Sequence, residues 1–296
     1  MAIELRRAET DADLEAWRQV RIAVLPNERA LTVAEMRAMA ADDPDRLLLL
    51  AQRDGELAGN GLVGRSQLGG AGLHPRVLPS HRRRGVGTAL YRALAAHAIA
   101  RGFTEAGAMV DDEGSLVFAL DLGFHEVDRQ VEQVRTLDGT EAFPEPRDDV
   151  EVVSIAQRPD LLETAYPLAV DAYADFATYR PVTVTLREWL REEATLPAGS
   201  FVALAGGEIV AFSGLSLDVD HPTRAEDGLT AVRRDWRRRG LATHLKRMEL
   251  AWAAAHGVRL VYTWTQRGNG GMRAVNEQLG YVTRQVCLML RKELTD

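Results

Sequence analysis

One stretch of this chain is written twice, and the duplication constrains the fold more than any single motif does. Val77-Leu-Pro-Ser-His-Arg82-Arg-Arg-Gly85-Val-Gly87-Thr88 returns as Val232-Arg-Arg-Asp-Trp-Arg237-Arg-Arg-Gly240-Leu-Ala242-Thr243, with Gly240 standing 155 residues after Gly85. The register continues downstream, pairing Leu90 with Leu245 and Gly102 with Gly257, and resumes as Leu122-Gly123-Phe124 against Leu279-Gly280-Tyr281. Upstream, the β-rich runs Arg46–Asp54 and Glu56–Gly64 resemble Ser200–Gly206 and Glu208–Ser216. A chain of 296 residues repeated in this way is expected to fold as two domains of one architecture. Residues Asp138–Asp149 carry Gly139, Pro144 and Pro146 among acids, as a solvated linker does, and place the cut near residue 147. The expected domains are 1–147 and 148–296.

Each half reads as a helix (Asp11–Leu25; Leu161–Phe176), a second helix (Thr32–Ala41; Thr185–Ala194) and a strand hairpin. A further strand, the Arg/Gly turn, a long helix, a strand, a short helix and a last strand follow. The long helices are the clearest elements. Leu241, Leu245, Met248, Trp252 and Ala255 form one stripe of 3.6-residue period, and Val86, Leu90, Ala93 and His97 hold the same positions in the first copy.

Composition narrows the class. A hydrophobic fraction of 46% with 27% charged residues describes a folded, water-soluble protein. Cys287 is the only cysteine, which excludes an intramolecular disulfide and fits a reducing cytosol. No apolar run approaches the roughly 18 residues that span a membrane, and the N-terminus alternates charges, so a cytoplasmic location is expected. A net charge of −7 argues against nucleic acid as a partner and leaves room for a small cationic substrate. The seven histidines lack ligand spacing, so no metal is expected.

The repeated turn is a device for holding an anion. A helix N-terminus presents N–H groups without intrahelical partners at the positive end of the macrodipole. Gly85 and Gly87, or Gly240 and Ala242, keep side chains out of the approach, arginines add charge, and Thr88 or Thr243 adds a hydroxyl. Two other phosphate loops are excluded: neither turn carries Gly-Lys-Ser/Thr, and Leu90 and Leu245 stand where a dinucleotide fingerprint needs glycine.

Arg82-x-x-Gly85-x-Gly87 and Arg237-x-x-Gly240-x-Ala242 resemble the acyl-CoA pyrophosphate loop of the GNAT superfamily of N-acetyltransferases, Arg/Gln-x-x-Gly-x-Gly/Ala. The Leu-Gly-aromatic elements resemble that family's closing segment, and Asn269-x-x-Met272-x-x-x-Asn276 its cofactor-flanking helix. The resemblance implies a tandem α/β (α+β) protein. In each copy a mixed, mostly antiparallel sheet is flanked by helices and splits in a V between two central strands. It implies acetyl-CoA as co-substrate, its pantetheine arm adding along the strands Leu73–Pro79 or Leu229–Arg233. The implied binding residues are Val77, Arg82, Arg83, Arg84, Gly85, Val86, Gly87 and Thr88 in the first copy. In the second they are Val232, Arg237, Arg238, Arg239, Gly240, Leu241, Ala242 and Thr243, with Asn269 and Asn276.

Acyl transfer to an amine requires a neutral amine, a donor for the oxyanion and a proton for the leaving thiolate. Glu226 and Asp227, leading into the strand at Leu229, are the candidate bases, although exposed loop acids such as Asp218 and Asp220 are the commoner meaning of such residues. The equivalent first-copy strand has no acid, and His74 alone could titrate there. The family's thiolate-protonating tyrosine is replaced by Ala119 and Asn276, which leaves Tyr262 or Tyr281 to substitute, each equally at home as a packed aromatic. The richer downstream helix marks the second half as catalytic and the first as structural or a second CoA site, as in tandem members whose halves have diverged. Asp171 and Asp175, at i and i+4, with Tyr179 suit a cationic amine, and solvent exposure explains them equally well. The expected function is N-acetylation of a small-molecule amine by a monomer with an internal pseudo-dimer. An acetyl-CoA sensor without turnover and a peptide N-acetyltransferase remain alternatives.

Overall fold

Helices start where the sequence offers a side-chain oxygen to an orphan N–H. The computed structural model describes residues 2–176 and 178–294, so the outermost ends of both expected domains, residues 1, 295 and 296, lie outside the described residues. After β1 (Ile3–Arg7), Thr10 and Thr32 cap α1 (Asp11–Val24) and α2 (Val33–Asp42), each closing a capping box with Asp13 or Glu35. The hairpin of β2 (Leu47–Arg53) and β3 (Glu56–Arg65) turns through Asp54 and Gly55, both at positive φ, as the right-handed strand twist requires. β4 (Ala71–Val77) pairs antiparallel with β3 and runs through a single 3-10 turn into α3 (Val86–Ala100). β5 (Glu105–Val110), α4 (Glu113–Asp121) and β6 (His125–Thr136) complete the first repeat.

The second repeat follows the same order. It comprises β7 (Glu151–Ser154), α5 (Asp160–Thr164), α6 (Tyr166–Ala174), α7 (Leu186–Glu192), β8 (Phe201–Ala205), β9 (Glu208–Leu217), β10 (Arg224–Val232), α8 (Leu241–Ala255), β11 (Leu260–Gln266), α9 (Gly270–Gln278) and β12 (Val282–Glu293). Two local differences from expectation matter. The helix read over Leu161–Phe176 is broken at Ala165 into α5 and α6, with Pro167, which lacks an N–H, in the first turn of α6. β10 begins at Arg224, so Glu226 and Asp227 lie inside the strand instead of leading into it.

The chain forms two compact units, and they do not divide near residue 147. Unit 1 holds the described residues up to Val127 together with those from Leu288 on, and unit 2 holds Asp128–Cys287. In unit 1 the strands run β1-β2-β3-β4-β5 and then Leu288–Glu293 of β12; in unit 2, β7-β8-β9-β10-β11 and then Gln130–Thr136 of β6. Each unit is therefore closed by the last strand of the other repeat. The sequence repeat ends at its linker, but strand pairing follows long-range partners that local sequence does not encode.

Within each unit one pairing is parallel and brief. β4 pairs with β5 only at Ala71↔Ala106 and Gly72↔Gly107, and β10 with β11 only from Arg224↔Leu260 to Glu226↔Tyr262. Beyond those points the two central strands part, giving the expected V. Both units are layered. In β2, Leu47 and Leu49 face Leu90 and Leu94 of α3, while Leu48 and Leu50 face Leu14 and Trp17 of α1 and Met36 of α2. That explains an unbroken apolar run where a one-sided sheet would alternate. β8 repeats the device: Val202 and Leu204 pack toward Trp189 of α7, and Phe201 and Ala203 toward Leu241 and Leu245 of α8.

Candidate active site

The two Arg/Gly turns have one backbone. Arg83 and Arg238 sit at φ 60° and 61°, Gly85 and Gly240 at 85° and 81°, and each glycine is the N-cap of the helix that follows. Arg82 Nε donates to Val77 O at 3.3 Å and Arg237 Nε to Val232 O at 2.9 Å, tying each turn to the end of its strand. Val86 and Leu241 are buried anchors beneath the turns, and Gly87, Thr88, Ala242 and Thr243 line the opening turn of each helix. Thr10, Thr32, Asp112, Thr185 and Asn269 each cap a helix with a side chain, whereas α3 and α8 have no side-chain cap. The same holds for α5 and α6, but at α3 and α8 exposed arginines, Arg83 and Arg84 or Arg238 and Arg239, surround the uncapped first turn. The residues present thus fit the pyrophosphate of a CoA thioester.

The turns differ in one respect. In unit 2 Asp175, just past α6, binds Arg237 Nη2 and Arg234 Nη2, both at 2.6 Å, and these arginines pull its carboxyl down to about 2. Asp175 is therefore engaged with the turn, a contact that its i, i+4 spacing from Asp171 does not reveal. Asp171 is exposed on α6, and the Tyr179 backbone N–H donates to Asp128 Oδ2 at 3.2 Å.

Past the V, β10 carries a break that β4 lacks. Its register with β9 shifts between Asp227 and Thr230, whereas β3 and β4 pair without interruption from Gly59↔Val77 to Arg65↔Ala71. Such a bulge leaves residues outside the ladder and re-aims what is next to it. The Glu193 carboxylate, one residue beyond α7, lies against this bulge and accepts the Leu229 N–H at 3.3 Å. Glycine makes the room: a Cβ on Gly214 or Gly228 would lie 2.2 or 2.6 Å from Glu193 Oε1. Burial, with Glu226 and Asp227 nearby, pushes the Glu193 carboxyl up to about 8, against the Leu229 N–H that favours its charged form. The sequence reading missed Glu193 because nothing local separates it from Glu192 or from any other acid ending a helix.

Glu226 is half-buried and accepts the Tyr262 hydroxyl at 3.3 Å, while the Tyr262 ring is covered by Arg224. Asp227 is 2% exposed. Its Oδ2 takes the Tyr281 hydroxyl at 2.8 Å and an ion pair from the equally buried Lys246, with Glu249 of α8 close enough to feel both. Burial, reinforced by Asp227, pushes Glu249 well above the ordinary carboxyl range, and burial beside Asp227 raises Tyr281 as well. Asp227 is thus the centre of a buried ionic cluster, with Lys246 and Tyr281 both on its Oδ2. Asn269 caps α9 through the Met272 N–H. Asn276 is wholly buried and donates to Gln133 at 3.0 Å and Thr265 at 3.4 Å, turned into the sheet.

Among the described residues no cluster of His, Cys, Asp and Glu could hold a metal, and no helix is long and apolar enough to cross a membrane. A shallow depression of about 300 Å³, lined in part by Leu14, Met36, Arg46 and Leu48, lies in unit 1 away from its Arg/Gly turn.

Two uncapped helices behind matched turns, each beside a split pair of strands, define an acyl-CoA-binding fold built twice. The acetyltransferase (GNAT) family model matches residues 12–124 and again residues 161–281. The chain belongs to that family, in its tandem form, and is an acyltransferase whose family co-substrate is acetyl-CoA. Among solved structures it is similar to a tandem GNAT protein from the clavulanic acid biosynthesis pathway, at TM-score 0.79 and 19% identity over 100% of this chain and 99% of that one. A GCN5-related N-acetyltransferase from Sphaerobacter thermophilus gives TM-score 0.75 and 20% identity over 99% and 96%. At these identities the likeness is one of fold. A search of curated protein sequences finds no match.

Proposed function

We propose that unit 2 transfers the acetyl group of acetyl-CoA to the primary amine of a small molecule by direct attack on the thioester, with Glu193 as the base. The observation that carries this reading is the Glu193 carboxylate against the β10 bulge, beside the strand that has parted from β11. Acetyl-CoA supplies an acetyl group on a thioester, and the α8 N-terminus with Arg237, Arg238 and Arg239 holds its phosphates. Beyond Glu226 the side of β10 that faced β11 has no ladder partner among the described residues, and that open side receives the pantetheine arm and the acetyl carbonyl.

The amine nitrogen forms the C–N bond as the C–S bond breaks; its surplus proton passes to Glu193 and the electron pair leaves on sulfur. Raised to about 8, Glu193 is in its ionised form a stronger base than an ordinary carboxylate, and because that form is the minor one at neutral pH, turnover should rise with pH up to about 8. Asp171 and Tyr179 are offered to the cationic form of the acceptor, and Glu226 with Tyr262 to its polar groups. The Tyr262 and Tyr281 hydroxyls are committed to Glu226 and Asp227 and the family's tyrosine is missing at Asn276, so water protonates the thiolate, whose solution pKa of about 8.5 makes that step cheap. The same absence favours the second reading, an acetyl-CoA-binding protein without turnover.

The deciding experiment is CoA release over a panel of small primary amines, including amino sugars and amino acids, by wild type and by Glu193→Gln. We expect release with at least one amine and a loss of about 10²–10⁴ in kcat for the variant, with acetyl-CoA affinity within about twofold. Binding without release across the panel would support the sensor instead. Equal rates in both proteins would remove Glu193 from the mechanism.

A further inference from the structure

Unit 1 is basic where unit 2 is apolar. By the repeat, His74 and Arg76 of β4 occupy the positions of Leu229 and Ala231 of β10, which are buried among hydrophobic residues of unit 2. Both lie beyond Gly72, where β4 has already parted from β5. Arg76 lies over the Trp17 ring of α1 at 5.5 Å, and Arg21 is one helical turn on from Trp17. On the other side, Arg46 Nε and His74 Nε2 sit over Gly64 and Gly72, which face each other across the β3–β4 ladder. A Cβ on those glycines would lie 3.4 and 3.0 Å from the two nitrogens. Glycine here clears space for the Arg46 guanidinium with its Asp43 partner, whose Oδ2 would lie 2.8 Å from a Cβ on Gly64, and for the His74 ring.

These groups are poorly paired. Arg21 Nη1, Arg46 Nε and Arg76 Nη1 are buried without a hydrogen bond, and among the described residues the Arg76 guanidinium has no ion pair. The facing acids are Glu28, 3.0 Å from Arg21 Nη2, and Asp43, 3.6 Å from Arg46 Nε. Three guanidinium groups therefore face two carboxylates. Burial together with Arg76, Arg21 and Arg46 holds His74 neutral, down to about 3, and burial with Arg21 lowers Arg76 to about 9. Buried, unsatisfied guanidinium nitrogens cost stability unless something completes them.

We propose that Arg21, Arg46, His74 and Arg76 form a binding site in unit 1 for a small oxyanion, a carboxylate or a phosphate. The arginine forks match either group in a bidentate manner, and neutral His74 adds one further hydrogen bond. The site is separate from the Arg/Gly turn, and it stands whether or not unit 2 is catalytic.

The test is calorimetric titration of malonate and, separately, inorganic phosphate at constant ionic strength into the intact protein. Arg76→Gln, Arg21→Gln and the turn control Arg83→Gln are titrated alongside, each checked for native circular dichroism. We expect saturable binding of at least one anion, weakened at least about tenfold by Arg76→Gln or Arg21→Gln and left unchanged by Arg83→Gln. Malonate alone would identify a carboxylate ligand and phosphate alone a phosphate ester. The absence of saturable binding, or equal affinity in wild type and both site variants, would overturn the proposal; two site variants keep it testable should one fail to fold.

Discussion

The two repeats share a backbone and differ in what they bury. Around the V, unit 2 holds Asp227, Lys246, Glu249 and Tyr281; the β10 bulge sets Asp227 opposite Leu215 as Leu73 is set opposite Val63, so unit 1 has Leu73 there, with Tyr91, Leu94 and Phe124 in the other three places. There, Tyr91 and Phe124 meet edge to face at 6.1 Å as ordinary core. On the opposite face the contrast reverses: unit 1 gathers arginines and unit 2 apolar residues. Duplication supplies two copies of a frame that tolerates a charged layer on either face of its split strands. What each copy does depends on which face received it.

The largest expected effect lies in the ionic core. Lys246→Met leaves Asp227 buried beside Glu249, and breaking a buried pair costs about 3–5 kcal/mol. Urea denaturation should register most of that loss, whereas Tyr91→Phe at the matching position should cost no more than about 1 kcal/mol, the lost hydrogen bond that Lys292 Nζ donates to the Tyr91 hydroxyl. Similar losses would mean that the two cores are equivalent after all.

Next come the turns. Gly85→Glu and Gly240→Glu carry the same strain, since both glycines sit at φ above 80°, so the pair compares only the clefts. Gly240→Glu should lower acetyl-CoA-dependent turnover by at least about 100-fold, a repulsive acid replacing an open anion site, and Gly85→Glu by less than about threefold. Reversal of that order would make unit 1 the catalytic copy.

A smaller effect follows from Glu193. Its folded-state value of about 8 exceeds the ordinary 4.5, so between these pH values the folded protein holds a proton that the unfolded chain has released. Stability therefore falls as pH rises through this window. Wild-type Tm should drop by several degrees from pH 5.5 to 8, and Glu193→Gln should flatten part of that drop, the remainder coming from Glu249. The smallest effect belongs to Asp175→Asn, which frees Arg234 and Arg237 and should tighten acetyl-CoA binding about two- to fivefold at low salt, as read by calorimetry.

The sequence made some of this plain and hid the rest for identifiable reasons. The turns were legible because their parts are contiguous: Arg82 to Thr88 and Arg237 to Thr243 carry charge, small residues and hydroxyl in one short run. Glu226 and Asp227 could be singled out by position, but only packing separates the half-buried partner of Tyr262 from the ion-pair partner of Lys246. Glu193 and the arginine cluster were hidden because each is assembled from distant segments, and their signals are glycines such as Gly214 and Gly72 whose role appears only when a neighbour fills the space. The break at Ala165 was masked by an apolar stripe that continues through it.

The exchange of closing strands fixes the order in which the molecule can be finished. β5 is made early, yet its partner in unit 1 is Leu288–Glu293, which leaves the ribosome nearly 180 residues after it. Until then unit 1 carries an unpaired strand edge, a surface prone to sticking to other chains. A chain stopped at residue 147 would keep that edge for good. The gene for either half alone would therefore encode an unfinished sheet, and once the two copies had traded strands, they could no longer be separated.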